Sequence, residues 1–175
     1  MDQLQQNYFA LFHLPQTFEV DLSLLDQQYR KIQNEIHPDR YTNASSNERM
    51  LSMQLATYAN EAYRSLKDST ARARYLLQLE GMETLEESNT AMPTDFLMLQ
   101  MEWREAIEDA LQNKNISALD DLLLEIKKIS QSLSQQLSRA FEQKDYLSAA
   151  ENVRKLSFID KITADIHRNI ETLEA

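Results

Sequence analysis

"QQYRKIQNEIHPDRYTN", residues 27–43, contains most of a helix and the place where it must end. Leu22, Leu25, Tyr29, Ile32 and Ile36 recur at helical spacing, and the chain then meets His37, Pro38 and Asp39. Pro38 has no N–H to donate, and its ring disfavours a helical residue before it. The helix therefore stops near Ile36, with His37 extended and the imidazole and carboxylate presented from a loop. By itself the tripeptide is also an ordinary stop, with proline as breaker, histidine complementing the helix dipole and aspartate opening a turn. What surrounds it decides between the two.

One glycine and three prolines in 175 residues are too few for the turns of a sandwich or barrel. Leu, Ala, Gln, Glu and Lys dominate, so the fold is expected to be all-α. No apolar run is long enough to span a bilayer, and the start "MDQLQQNYF" lacks the regions of a signal peptide. The absence of cysteine excludes disulfides and thiolate ligands and fits a reducing compartment, with the cytoplasm as the expected location. A net charge of -10 disfavours nucleic acid and anionic membrane. Acid is concentrated from Glu83 to Glu125, where only Arg104 and Lys114 oppose it, while the first 80 residues are nearly balanced.

Gly81 follows the helical run "ARARYLLQLE" where a helix end favours positive φ, and "METLEESNTAMPTD" has no sustained period. These signals divide the chain into residues 1–80, a linker at 81–93, and residues 94–175. The first part holds a short helix around residues 7–12, longer ones at 22–36 and 47–66, and a last one at 71–79. On the third, Leu51, Leu55, Tyr58, Ala62 and Leu66 share a face. The polar loop "HPDRYTNASSN" makes the second and third helices antiparallel neighbours and ends in residues able to cap. In the last part, helical periods at 95–113, 116–144 and 147–173 are joined by "QNKN" and "EQKDY", with Thr94 or Asp95 and Pro93 setting up the first of them. Joins this short predict an antiparallel three-helix bundle.

None of His13, His37 and His167 sits in a metal-ligand spacing, and GxxxxGK[ST], GxGxxG and GxSxG are all missing. No metal, cofactor or catalytic residue is expected, and the chain is not read as an enzyme. His13 is expected to be a half-buried helix end and His167 a polar-face residue. Opposite the apolar face of residues 22–36 lie Gln27, Arg30, Lys31 and Asn34, a basic and polar surface running up to the tripeptide.

"YFALFHLP", then "YRK" followed by "HPD", then "NEAYRSLKDSTARARYLL" together resemble the J-domain over residues 7–80. That resemblance implies docking on a DnaK-class chaperone and stimulation of its ATPase. His37, Pro38 and Asp39 would be the stimulating element, with Arg30 and Lys31 meeting an acidic surface of the chaperone. Arg40 stands where many relatives have Lys, and Ser69 where they often have Pro. There is no Gly/Phe-rich linker or Cys-rich zinc module. Instead "MPTDFLMLQMEWREAIEDA" and "AAENVRKLSFIDKI" after a J-domain look like the HscB family of iron–sulfur co-chaperones. Eukaryotic relatives carry a Cys-rich N-terminal extension not seen here, which implies a bacterial form.

Helical geometry alone divides residues 95–113 into two faces. With Leu97 at zero and about 100° per residue, Phe96, Leu99, Trp103, Ala106, Ile107, Ala110 and Leu111 span roughly 180–320°, the expected core. Leu97, Met98, Met101, Glu102, Glu105 and Asp109 span roughly 0–140°, an outward apolar stripe with an acidic border. The stripe either binds a partner or packs under the linker or the J-domain, methionine being a common gap-filler. The HscB resemblance implies the former. Leu97, Met98, Met101, Glu102, Glu105 and Asp109, joined by Phe158 of "RKLSFIDK", would bind an IscU-like cluster scaffold protein. Phe158 lies off the stripe of Val153, Leu156 and Thr163, as an outward contact should.

The expected function is thus a co-chaperone that stimulates an HscA-like ATPase and brings it the iron–sulfur scaffold. One alternative is a J-domain adaptor for a different client. Another is a helical enzyme using Glu102 and Glu105 as paired carboxylates, which would need a pocket that an outward stripe does not make.

Overall fold

The computed structural model describes residues 3–84 and 92–175, so most of the linker expected at 81–93 lies outside the described residues. Two units meet between Leu79 and Glu80. Helices and turns make up both, and no strand occurs among the described residues.

In the first unit, a 3-10 turn at Gln3–Gln5 precedes α1 (Tyr8–Leu11), capped by the Asn7 side chain, which accepts from the Ala10 N–H. Next come α2 (Leu22–Glu35), α3 (Ser46–Lys67) and α4 (Ser69–Leu79). Asp21 caps α2. Ser45 and Glu48 form a reciprocal capping box at α3, using the polar loop as its composition predicts. Contacts between α2 and α3 run in opposite numerical order, from Asp26 with Lys67 and Tyr63, through Tyr29 with Tyr63 and Asn60, to Ile36 with Ser52. The two helices are antiparallel.

Leu25, Ile32, Ile36, Ala59, Ala62 and Leu66 are buried between them, with Phe9 and Phe12 of the α1 segment. Leu22 and Leu51 are more exposed than the periodicity implies. Leu51 lines a shallow groove with Leu4, Ile36 and Tyr41 that nothing fills. His13 is exposed rather than half-buried, because the chain leaves α1 in the left-handed region there (φ 53°) and turns the ring outward.

At the α3–α4 junction, Asp68 breaks the helix with extended backbone and accepts from the Ala71 N–H at 2.7 Å. The junction before Ser69 is therefore sharp without a proline. Buried Arg72 donates to the carbonyls of Phe18 (2.6 Å) and Leu66 (2.7 Å), tying α4 to the segment before α2. The Tyr8 ring stacks on Tyr75 at 4.2 Å, which locks α1 to α4. Gly81 has φ 78°, as its position after α4 requires.

In the second unit, α5 (Thr94–Gln112), α6 (Ile116–Glu142) and α7 (Tyr146–Glu174) make a three-helix bundle. Thr94 is the first residue of α5. The cap position is Pro93, without a side-chain cap, and the Asp95 carboxylate turns to the Phe96 N–H instead. The two joins have the same construction. Lys114 and Lys144 take left-handed backbone (φ 50° and 55°), and the next residues, Asn115 and Asp145, donate back to Ala110 and Ala140 at 2.8 Å and cap the following helix. That left-handed residue ends α6 at Glu142, two residues before the apolar period implies.

Phe96, Trp103 and Ala110 of α5 pack against Leu119, Leu122, Ile126, Leu133 and Leu137 of α6 and Val153, Leu156, Ile159, Ile162 and Ile166 of α7, all buried. Burial of this many aliphatic side chains, at about 1.5–3 kcal/mol each, is the main stabilising term of the bundle. Ala106, expected in the core, is exposed. The buried strip of α5 recurs every seven residues and is narrower than the apolar arc.

Candidate functional sites in the two units

The first site grows from the end of α2. The Ile36 N–H closes the last helical bond to the Ile32 carbonyl, and His37 then turns to φ -57°, ψ 135°, the extended conformation Pro38 demands. The tripeptide does not continue as a plain loop, because Pro38–Tyr41 forms a 3-10 turn capped by His37. The Asp39 N–H donates to His37 Nδ1 at 3.3 Å, and the Asp39 carboxylate stands 3.5 Å from the same nitrogen.

The His37 and Asp39 side chains are 58% and 88% exposed. Beyond the local cap, the fold makes no use of either. Gln27, Arg30, Lys31 and Asn34 are all exposed on α2, forming the expected surface that ends at the tripeptide. One inner element was not evident in the sequence. Asp26, on the edge of that surface, accepts from Lys67 Nζ (2.7 Å) and the Tyr63 hydroxyl (2.8 Å). These two bonds, Lys67 first, hold its carboxyl below the usual range. Lys67 and Tyr63 belong to α3, so no reading of α2 alone finds them.

The second site is the outer face of α5. Leu97, Met98 and Met101 are 42%, 58% and 62% exposed, whereas Trp103 on the opposite face is 1% exposed. Glu102, Glu105 and Asp109 are exposed beside them. The stripe is therefore open surface with a carboxylate border.

Phe158 departs from the expected arrangement. It is half-buried, stacked on Trp103 (6.4 Å between ring centres) and edge-on to Phe96 (6.0 Å), because α5 rests on this flank of α7. Its ring packs in the α5–α7 contact, and part of its surface stays open. The Arg104 guanidinium lies 6.0 Å from its ring, and Lys155, paired with Glu151 at 2.7 Å, lies 5.8 Å from that of Phe96. Two cations thus stand over the aromatic cluster that supports the acidic face. Only the helix–helix packing reveals this, since Arg104 and Lys155 are far apart in sequence. His167 is exposed, as its place on a polar face implies.

Among the described residues, no group of three His, Cys, Asp or Glu side chains is placed to hold a metal, and no helix is long and apolar enough to cross a membrane.

Residues 92–167, which take in α5, α6 and most of α7, match the family model described as the HSCB C-terminal oligomerisation domain. The co-chaperone protein HscB homolog of Burkholderia multivorans is 44% identical over 174 residues, 99% of each chain. The chain belongs to the HscB family of co-chaperones. Solved HscB structures agree along nearly the whole length. The chaperone HscB from Vibrio cholerae superposes with a TM-score of 0.85 at 37% identity, covering 96% of this chain and 99% of that one. Human co-chaperone protein HscB superposes with a TM-score of 0.88 at 30% identity, covering 93% and 81%. The HscB fold, a J-domain followed by a helical bundle, is the one described above.

Proposed function

We propose that this HscB-family chain stimulates the ATPase of an HscA-like, DnaK-class chaperone through its J-domain and delivers an IscU-like iron–sulfur scaffold protein through its bundle. His37, Pro38 and Asp39 act on the ATPase, and Gln27, Arg30, Lys31 and Asn34 supply the docking face. Leu97, Met98, Met101, Glu102, Glu105 and Asp109 bind the scaffold, with Phe158 supporting α5 from beneath. The cluster is cargo and not a resident cofactor, and the setting is the bacterial cytoplasm.

The observation that carries the reading is the exposure of both groups of residues. A His–Asp pair and an apolar stripe stand in water where the fold gains little from either. Joining the two sites in one chain raises the effective concentration of client beside the ATPase. ATP turnover by the cognate chaperone, measured with this protein and the scaffold separately and together, tests it. Stimulation by the protein alone, enhanced by scaffold, is the expected result. Stimulation that ignores the scaffold, with no scaffold retained in a pull-down, would leave a J-domain adaptor for a different client.

A further inference from the structure

Asp26 borders the basic face of α2 on the flank turned to α3. With Arg30 at zero and about 100° per residue, Asn34, Gln27 and Lys31 fall near +40°, +60° and +100°, and Asp26 near -40°. Glu35, the other acid of α2, falls near +140°. Residues three and four apart on a helix are neighbours, and of Asp26, Gln27, Gln33 and Asn34 around Arg30 only Asp26 is an acid. An acid four residues before a base is also the favoured order for an ion pair along a helix. That pair does not form. Asp26 Oδ1 accepts from both Lys67 Nζ (2.7 Å) and the Tyr63 hydroxyl (2.8 Å), while Arg30 is exposed with no ion pair or hydrogen bond among the described residues. Tyr63 is itself fixed, its ring stacked on Tyr29 of α2 at 4.1 Å. Of the groups that hold the Asp26 carboxyl ionised, Lys67 comes first, Tyr63 second and Arg30 last.

We propose that Lys67 and Tyr63 are positioning residues for chaperone docking, which act by holding Asp26 so that Arg30 stays unpaired and the docking face presents no uncompensated carboxylate beside it. This rests on the reading of Gln27, Arg30, Lys31 and Asn34 as the docking face and adds two residues of α3 that act through a third. Without Lys67, Asp26 gains its helical neighbour Arg30 as the nearest cation. Arg30 then either pairs within its own helix or meets the partner with a bare negative charge at its side. An acidic partner surface is disfavoured by both, because complementary charge guides docking and a like charge opposes it. Lys67 is a suitable holder because it lies on the neighbouring helix, so its bond pulls the carboxylate toward α3 and away from the face.

The test titrates the full chain into the cognate DnaK-class chaperone with ATP and reads two quantities, the concentration giving half-maximal ATPase stimulation and the maximal stimulation. Lys67→Met should raise the half-maximal concentration by roughly twofold to fivefold at low salt and by less at high salt. Maximal stimulation should not change, since the His37–Asp39 turn is untouched. Tyr63→Phe keeps the stacked ring and removes one of the two bonds, so it should give a smaller rise. Asp26→Asn alone should leave the half-maximal concentration unchanged or lower it. The decisive variant is Asp26→Asn with Lys67→Met, which should return to the unaltered value although the bond between the helices is gone. If the double variant stays as weak as Lys67→Met, Lys67 touches the chaperone itself and the proposal fails. If Asp26→Asn weakens docking together with a lower melting temperature, the three residues only staple α2 to α3 and the proposal fails. Normal docking by Lys67→Met also overturns it. Arg30→Glu with Lys31→Glu serves as the control for the reading beneath it: no effect there removes the docking face itself, whereas a loss there with normal docking by Lys67→Met removes only the role of Lys67 and Tyr63.

Discussion

The His37–Asp39 turn and the α5 stripe reach the surface by opposite routes. The turn is exposed because the backbone is stopped. Pro38 ends α2 and leaves two polar side chains at a helix end, bonded only to their own turn. The stripe is exposed although its helix continues unbroken, because α5 buries only one narrow strip and, among the described residues, Leu97, Met98 and Met101 stay uncovered. A local backbone rule creates the first site, and the limit of packing creates the second. The first should therefore tolerate almost no chemical change in function while tolerating nearly any in stability. The second should lose affinity in proportion to the area removed.

The sharpest way to break this contrast is at the tripeptide. His37→Gln or Asp39→Asn should abolish stimulation of the chaperone ATPase while changing stability by no more than about 0.5 kcal/mol, the usual scale for exposed positions. Full stimulation by either variant would remove the turn from the mechanism. Next in size is the triple replacement of Leu97, Met98 and Met101 by Ala. It should eliminate most scaffold affinity, each side chain buried on binding being worth about 1.5–3 kcal/mol, with melting and scaffold-free ATPase stimulation unchanged. A marked drop in melting temperature would mean the stripe is core after all, where such truncations cost about 2–5 kcal/mol each.

Phe158 sharpens the same comparison from inside the bundle. Phe158→Ala should lower the melting temperature, because the ring packs on Phe96 and Trp103, though by less than the roughly 3–5 kcal/mol of a fully buried phenylalanine. Calorimetry and scaffold titration on one preparation separate this packing role from direct contact. Loss of scaffold affinity with unchanged melting would restore Phe158 to the contact surface. The smallest effect belongs to the basic face. Arg30→Glu with Lys31→Glu should weaken chaperone binding, and binding by the unaltered chain should fall with added salt. Affinity indifferent to both would make that face ordinary solvated surface.

Much of both sites is legible in the sequence because local rules place them. Helical period separates Met98 and Met101 from Trp103, and a proline marks where α2 must stop. The exposure of Ala106 and the partial burial of Phe158 escape the sequence for one reason. Period gives the direction of a side chain about its own helix but not which neighbour lies over it. Asp26 with Lys67, Arg104 over Phe158, and Arg72 bonded to Phe18 and Leu66 are likewise invisible to any single-helix reading.

The sequence by itself determined the helices, their ends to within a residue or two, and their order along the chain, since caps, prolines, the lone glycine and apolar spacing act within a few residues. Only the tertiary structure decided which apolar faces remain open. Exposure depends on how wide a strip each helix offers its neighbours and where those neighbours end. Trp103 is buried against α6 and α7 while Leu97, Met98 and Met101 stand exposed on the other side of α5, because among the described residues of the bundle both neighbouring helices lie on the Trp103 side.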